Sequence, residues 1–380
     1  GDPINKKLIN DSIRNIKSLD FFSNVTIDQN DTKDGVDVLV EVNEKNSGDF
    51  SIGLAFGTIE GATFISKLNQ KNIAGTGKTI EFAINTASKS TEYNFSISQP
   101  RFLGKKIKLF YGLKYNFNDY STVSSYKLDN FAGNIGFEYN INDNLSNSIS
   151  LNYELNEYNI TNLSSVSSNI LNNEGTNAVV KIQNILDYYD LDSFVRPQSG
   201  TQMILSSVFS PITNSNDGFF KNTFTARKFY SFKQNIISIQ AKAANITSLQ
   251  DDEISDSDKY ALGGKWLRGF DVYGAGPRNS STSYIGGNNL LVSKIDISRS
   301  LFKKSNNPID FFVFTDIGKV YGNKVSPTNS EESIRASAGY GIKLYSPIGP
   351  IGLTWGSPIL DESYDIKREF LFTIGNLNWN

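Results

Sequence analysis

The chain has 380 residues and a formal net charge of −2, and it contains neither cysteine nor histidine. These absences exclude disulfides, thiolate chemistry, Ser-His-Asp triads and His-ligated metal centres. The small net charge gives no indication of a basic face for nucleic acid. Aromatic residues make up 12% of the chain and glycine accounts for 30 residues. This composition is typical of a barrel whose strands show one apolar face.

A small α+β unit is predicted over residues 1–46. Asp2-Pro3 is typical of an N-cap followed by the first helical residue. Apolar residues then recur at helical spacing, at Leu8, Ile9, Ile13 and Ile16. Alternation predicts a short strand near residues 25–27 and a second strand through Val36, Val38, Val40 and Val42. Because a unit of this size does not bury a convincing core, we interpret it as the tail of a larger domain.

From about residue 47, apolar and polar residues alternate with period two nearly to the C-terminus. The clearest segments are 80–85, 107–117, 134–141, 149–156 and 370–374. Aromatic residues are frequent at the apolar positions, whereas Asn, Ser, Gly and scattered charges lie between them. A soluble sandwich would have a Val/Leu-rich apolar face and a charged outer face, so the pattern favours strands between lipid and water. The sequence therefore predicts an all-β transmembrane barrel over residues 47–380, and no apolar run is long enough for a membrane-spanning helix.

Two connections in this region are long. Residues 158–176 are rich in Asn and Ser and predict a loop, and residues 250–290 form the longest irregular segment. A loop of that length in a compact architecture is usually functional or disordered. It begins with an acidic cluster, at Asp251, Asp252, Glu253, Asp256 and Asp258. These carboxylates lack the spacing of an EF-hand calcium loop, so we interpret them as a solvated loop.

The segment Asn72–Thr79 reads Asn-Ile-Ala-Gly-Thr-Gly-Lys-Thr and nearly matches a phosphate-binding P-loop. A P-loop needs glycine at its first position and a helix after it. Here Asn72 occupies the first position, and the residues that follow Thr79 alternate as a strand. We predict a tight hairpin turn instead. The sequence offers no catalytic constellation, and we expect neither an enzyme nor a metal or cofactor site.

The motif Leu267-Arg268-Gly269-Phe270 lies inside the long 250–290 loop. The planar fork of arginine binds a carboxylate through two parallel hydrogen bonds. If the loop folds into the barrel lumen, Arg268 needs a carboxylate at an inward position on a strand, and the candidates are Asp296 and Asp316. The alternative is a solvated surface arginine. Four residues alone do not decide between the two.

Three segments together resemble the superfamily of outer-membrane assembly factors and two-partner secretion transporters. The motif Leu267–Phe270 is similar to the Val-Arg-Gly-Phe/Tyr motif of its sixth extracellular loop. Phe311–Gly318 is similar to the signature strand that follows, with Asp316 in the Asp-x-Gly position. Residues 335–351 resemble its Ser-Pro-apolar-Gly-Pro strand pair. The resemblance covers nearly the whole chain.

Within that superfamily, two further segments resemble the BamA family, namely Glu44–Gly61 and Gln70–Gly77. Residues 1–46 resemble the second half of the last POTRA domain of that family. One position departs from the family pattern at the C-terminus, because Asn378 fills the terminal aromatic position and Trp379 follows it. This departure leaves the register of the last strand open.

The resemblance implies a barrel of 16 antiparallel strands that closes between a first strand, about 48–56, and a last strand, about 368–377. The implied residues of this lateral seam are Phe50, Ile52, Leu54, Phe370, Phe372 and Ile374. It further implies that Arg268 holds the loop in the lumen through Asp316 and Asp296.

The function implied by the resemblance is assembly and insertion of β-barrel proteins into the bacterial outer membrane, by templated strand pairing at the seam. The implied partners are unfolded outer-membrane protein clients, accessory lipoproteins of an assembly complex and the lipid bilayer, with no nucleic acid. The POTRA part would lie in the periplasm. The alternatives are a related autotransporter-assembly or two-partner secretion transporter and a passive porin.

Overall fold

The computed structural model describes residues 5–17, 22–33, 35–194, 196–213, 218–250, 253–279, 283–301, 308–323, 332–346 and 349–374. Its N-terminal elements are a helix and an antiparallel strand pair, at Lys6–Lys17 (α1), Phe22–Thr32 (β1) and Gly35–Glu44 (β2). The predicted order of helix, strand and strand is present, while the POTRA assignment and the boundary at residue 46 stay predictions. The predicted N-cap at Asp2-Pro3 lies outside the described residues. None of the described helices has the length and apolar character to cross a membrane.

The strands that follow are, in chain order, Gly48–Gly57 (β3), Gly61–Gln70 (β4), Thr79–Ala87 (β5), Ser90–Gln99 (β6), Ile107–Asp119 (β7), Tyr126–Asn140 (β8), Leu145–Ile160 (β9), Gly175–Leu191 (β10), Gly200–Thr213 (β11), Phe219–Phe232 (β12), Asn235–Ser248 (β13), Gly269–Phe270 (β14), Asn289–Ser300 (β15), Ile309–Tyr321 (β16), Arg335–Ser346 (β17), Gly349–Leu360 (β18), Lys367–Arg368 (β19) and Phe370–Ile374 (β20). All except the short β14 and β19 belong to one closed wall, which contains 16 strands within the described residues. Each wall strand pairs antiparallel with the next, and β20 returns to β3. The predicted 16-stranded barrel is confirmed.

The two-residue period of the sequence becomes two faces of the wall, as β16 illustrates. Phe311, Val313 and Ile317 are exposed on the outside of the barrel. Phe314 and Asp316 alternate with them and are buried on the lumen side. Successive strand side chains point to opposite faces, so a row of apolar residues meets lipid while the other row packs inside the barrel.

The connections differ in detail from the sequence prediction. The predicted loop 158–176 is shorter, because β9 extends to Ile160, β10 begins at Gly175, and a one-turn helix lies between them at Ser168–Leu171 (α2). This helix is capped by Ser167, whose hydroxyl accepts a hydrogen bond from the Ile170 backbone N–H. The long loop predicted at 250–290 occupies residues 249–288 between β13 and β15. The prediction for 158–176 was too long because it relied on Asn and Ser content, and the ends of β9 and β10 also contain Asn.

The lumen side of β17 carries glycines where aromatic rings of β16 need space. Cβ atoms built on Gly339 and Gly341 would lie 2.7 Å from the Phe314 ring and 2.4 Å from the Phe312 ring. The one on Gly339 would also lie 2.0 Å from the Trp355 carbonyl oxygen of β18. Glycine at these positions therefore lets the two rings lie flat against the inner wall, under the loop.

We expect Gly339→Ala to destabilise the barrel by about 1–3 kcal/mol, because an added methyl group must displace backbone or a packed ring. Gly133→Ala is a matched control, since its Cβ would meet only the Leu113 side chain at 3.7 Å. The stability of both variants is measured by urea unfolding in detergent, in which the folded fraction is read from the gel mobility of unheated samples. Equal stability of the two variants would contradict this account of β17.

Candidate functional site

The loop between β13 and β15 folds into the barrel, and its motif is completely enclosed. Leu267, Arg268 and Phe270 have no exposed surface. Leu267 and Phe270 pack in an apolar cluster with the inner wall, which includes Leu290 and Val320. Burial of two large apolar side chains contributes about 1.5–3 kcal/mol each. This packing holds the loop in the lumen and takes the arginine between them out of water.

Arg268 is bound to carboxylates of two neighbouring wall strands. Its Nε and Nη2 donate to the two carboxylate oxygens of Asp316 over 2.8 and 2.6 Å, and its backbone N–H donates to the same carboxylate over 3.0 Å. Nη2 also donates to Asp296 Oδ1 over 2.6 Å. The structure thus brings together the arginine and both of the aspartates selected from the sequence.

The surroundings keep Arg268 charged despite its burial. Desolvation lowers its pKa, but the carboxylates of Asp296 and Asp316 outweigh desolvation and raise the pKa above the ordinary value of arginine. The guanidinium carbon also lies 3.7 Å from the centroid of the Phe314 ring, which provides a cation–π contact. A buried charge is tolerated only when it is paired and hydrogen-bonded. The site therefore holds a charged guanidinium between two carboxylates and an aromatic ring, as a loop anchor would require.

Gly269 lets the loop lie close against β17 and β18, the two wall strands that follow β16. Its φ of +93° lies in a region that favours glycine. A Cβ there would lie 3.2 Å from the carbonyl oxygen of Gly356 in β18 and 3.3 Å from Ser337 Cβ in β17. The motif needs glycine after its arginine because the backbone turns sharply and touches β18 at this residue.

Three further attachments of the loop were not found by sequence reasoning. Lys294 of β15 donates to the Lys265 carbonyl over 2.5 Å. Asp271 receives two hydrogen bonds from Arg368, and Gly276 N–H lies 3.4 Å from Asp365 Oδ1. The partners are separated by 29 to 97 residues in the sequence. No local spacing could have signalled these pairs, although Asp271 directly follows the motif.

The loop also forms hydrogen bonds with the β7–β8 and β9–β10 connections. The Tyr284 backbone N–H donates to the Val123 carbonyl over 2.7 Å, and Ser124 Oγ donates to the Tyr284 carbonyl over 2.9 Å. Asn169 of α2 donates to the Ile254 carbonyl over 2.9 Å. The loop therefore spans the barrel from the β7–β8 and β9–β10 connections to the β18–β20 connection.

The seam between the first and last strands is paired at one end in the described residues. Thr373 is opposite Gly57 and Ile374 is opposite Phe56, and the Thr58 backbone N–H donates to the Phe372 carbonyl over 3.0 Å. By contrast, β3 pairs with β4 along its whole length. Phe370, Phe372 and Ile374 lie in β20 as predicted from the resemblance, while the register question at Asn378 and Trp379 lies outside the described residues.

The predicted seam residues of β3 lie before this paired end. Phe50, Ile52 and Leu54 are 66%, 62% and 76% exposed. On the other edge of β3, the backbone at these residues pairs with β4. The first strand therefore has an apolar outer face, and its described pairing with β20 lies at Phe56 and Gly57.

Asn72–Thr79 connects β4 to β5 as a compact turn. The Gly77 backbone N–H donates to Asn72 Oδ1 over 2.8 Å, and the N–H groups of Gly75 and Thr76 donate to backbone carbonyls of the same turn. These donors are the groups that a P-loop would aim at phosphate. Since they are already bound, and β5 rather than a helix follows, the segment is a turn.

The acidic cluster of the loop is partly described. Glu253 and Asp256 both accept hydrogen bonds from the buried Lys259, over 2.9 and 2.7 Å. Asp251 and Asp252 lie outside the described residues. Glu253 and Asp256 are therefore partners in an ion-pair network, which differs from the solvated loop predicted from the sequence.

The Omp85 superfamily domain matches residues 72–377 of the chain. The chain belongs to the Omp85 superfamily. It is 23% identical to the outer membrane protein assembly factor BamA of Neorickettsia risticii (strain Illinois), over 96% of the chain and 50% of that protein. It is 28% identical to BamA of Buchnera aphidicola subsp. Acyrthosiphon pisum (strain APS), over 37% of the chain and 24% of that protein. The chain thus spans at most about half the length of these curated relatives.

Two solved structures share the fold of this chain. A crystal structure of BamA from Haemophilus ducreyi lacking POTRA domains 1–3 superposes with a TM-score of 0.86 at 20% identity, over 96% of this chain and 77% of that one. CdiB from Acinetobacter baumannii gives a TM-score of 0.61 at 12% identity, over 98% and 68%. The resemblance to the BamA family inferred from the sequence is confirmed. The superfamily and the barrel fold place the chain in the bacterial outer membrane.

We expect Asp316→Asn to release the loop more than Asp296→Asn. Asp316 accepts three of the four hydrogen bonds from Arg268, whereas Asp296 accepts one. Limited proteolysis of the folded barrel, with cleavage mapped to residues 249–288, measures the release. Greater cleavage in Asp296→Asn than in Asp316→Asn would contradict the geometry.

Arg268→Ala should loosen the loop further, because it leaves two buried carboxylates without their counter-charge, a loss of about 3–5 kcal/mol. The wall strands keep their pairing, so the variant should still form a barrel. Arg299→Ala is the control, since Arg299 lies on β15 near Asp296 in sequence but is bound only to the exposed Gln234 in the described contacts. Protease resistance of Arg268→Ala equal to that of Arg299→Ala would exclude the tether.

Proposed function

We propose that this chain is the membrane part of a protein that assembles and inserts β-barrel proteins into the bacterial outer membrane. The observation that carries the proposal is the closed wall, in which the first strand β3 meets the last strand β20 through Phe56–Thr58 and Phe372–Ile374. The curated relatives named outer membrane protein assembly factor BamA support the same conclusion. The partners are unfolded outer-membrane proteins, the lipid bilayer and accessory lipoproteins.

The proposed mechanism is templated strand pairing at the seam. An unpaired strand edge in lipid is costly, because its N–H and C=O groups find no water. An incoming client strand can satisfy that edge by β-augmentation. The apolar outer residues Phe50, Ile52 and Leu54 already face lipid, so a client strand added beside them continues an existing lipid-facing surface. Strand pairing and apolar burial drive insertion without nucleotide or redox chemistry.

The proposed role of the tethered loop is to keep the barrel rigid while the seam changes. Arg268 fixes the loop to β15 and β16 through Asp296 and Asp316. These strands lie away from the seam, which is formed by β3 and β20. The loop therefore gives the part of the lumen next to the seam a fixed support, against which the last strand can move.

We expect a disulfide across the seam to block client assembly. The chain has no cysteine, so Gly57→Cys with Thr373→Cys introduces a unique pair, and a Cβ on Gly57 would lie 3.8 Å from Thr373 Cγ2. The full-length protein is reconstituted in lipid vesicles with a urea-unfolded outer-membrane barrel as client, and the folded client is measured by gel mobility. Oxidation should abolish client folding and reduction should restore it.

The matched control is Ala55→Cys with Thr63→Cys, which joins register partners of β3 and β4. This hairpin stays closed in the proposed mechanism, so its oxidation should leave assembly unchanged. Full activity of the oxidised Gly57–Thr373 pair would exclude a seam that must open. Inhibition by both disulfides would point to a general effect of the cross-link and would also count against the seam.

A further inference from the structure

The inward loop and the last strand are joined by a continuous series of hydrogen bonds. Strand β14 of the loop pairs with β19, so that Gly269 is opposite Arg368. The Asp271 backbone N–H donates to the Ile366 carbonyl over 2.9 Å, and the Ile366 N–H donates to the Gly274 carbonyl over 2.8 Å. The segment that leads into β20 is thus paired with the loop before it reaches the seam.

Arg368 connects this paired segment to the first strand. Its Nε and Nη2 donate to the two carboxylate oxygens of Asp271, each over 2.9 Å, and its Nη1 donates to the backbone carbonyl of Thr58 over 3.1 Å. Thr58 is the residue that follows β3, and its own N–H donates to the Phe372 carbonyl. The Arg368 guanidinium therefore contacts the loop and the end of the first strand, and the Arg368 backbone leads into the last strand.

The bonds around Thr58 form the described end of the seam. The Phe372 N–H donates to Thr58 Oγ1 over 3.3 Å, and the rings of Phe56 and Phe372 are 6.0 Å apart. Arg368 adds a hydrogen bond to this same position from outside the ladder. Its carboxylate partner Asp271 lies three residues after Arg268, on the short stretch that the tether holds.

We propose that Arg368 is a positioning residue which makes closure of the seam depend on the seated loop, through the group Asp271, Arg368 and Thr58, here called the seam clasp. While Asp271 is seated, its carboxylate orients the Arg368 fork so that Nη1 reaches the Thr58 carbonyl. When the loop is displaced, Arg368 loses its orienting partner and the seam loses a bond at its paired end. Since both side chains are partly exposed, at 35% and 28%, the clasp is weak enough to open.

The clasp is tested by hydrogen–deuterium exchange of the full-length protein in lipid nanodiscs, read on peptides that contain Thr58 and residues 370–374. Exchange there reports local opening of the seam. In Arg368→Gln and in Asp271→Asn, these amides should exchange about threefold faster, the size expected for loss of a partly exposed ion pair. Asp271→Asn leaves the last strand unaltered, so it separates the clasp from a folding defect of β20.

Lys367→Gln is the matched control. Lys367 is the neighbour of Arg368 on β19, it carries the same charge, and its side chain pairs with Asp361 over 2.5 Å. Its exchange at Thr58 and at 370–374 should equal that of the unaltered protein. Faster exchange in Lys367→Gln than in Arg368→Gln, or no change in Arg368→Gln, would overturn the proposal.

The dependence on the loop is tested with Arg268→Ala. Alone, it should also speed exchange at the seam, because it releases the loop that carries Asp271. Combined with Arg368→Gln it should add nothing further at the seam, since the connection is already cut. Additive effects of the two substitutions would overturn the proposed coupling.

The inference deepens the proposed function and rests on it for its role in assembly. Its measurement needs no client, so the two can fail separately. If seam exchange follows the clasp variants while a locked seam still assembles clients, templating at the seam is excluded and the clasp stands. If a locked seam blocks assembly while exchange ignores Arg368, the seam function stands and the clasp is excluded.

Discussion

The buried ion pair of Arg268 with Asp316 and Asp296 is the interaction on which the arrangement inside the barrel depends. A guanidinium with no exposed surface is stable only because two carboxylates and an aromatic ring replace its hydration. Both aspartates lie on adjacent wall strands that also pair with each other. The pair therefore binds the loop to two wall strands that are paired with each other. It sets the position of the loop inside the lumen.

The fixed loop determines what its neighbours can do. Once Arg268 is seated, Gly269 brings the backbone against Gly356, and β14 becomes a pairing partner for β19. The connection before the last strand is consequently ordered by the loop as well as by β18. The segment that precedes the last strand is thus paired with the loop inside the barrel.

The wall itself follows a simpler constraint. A barrel in lipid must satisfy all its backbone hydrogen bonds by pairing between strands, and the pairing from β3 to β18 does so over long registers. The described pairing of β20 with β3 lies around Phe56 and Gly57. This pair joins the first and last strands of the wall, and the proposed strand exchange takes place there.

The sequence by itself determined the two faces of the wall and the class of fold. Period-two alternation is a local property, since each side chain points opposite to its neighbour, so the two faces can be separated without knowledge of the partner strands. The Arg268 motif and its two candidate aspartates were also accessible, because an inward arginine requires an inward carboxylate.

Only the tertiary structure decided which distant groups meet. Arg368 and Asp271 are 97 residues apart, and nothing in the spacing of either residue relates it to the other. The same holds for Lys294 with the Lys265 carbonyl, and for Gly269 against Gly356. These contacts depend on closure of the whole barrel, which brings the ends of non-adjacent strands to one place. The sequence therefore identified the arginine and its two candidate carboxylates, and the closed wall decided which distant groups the loop meets.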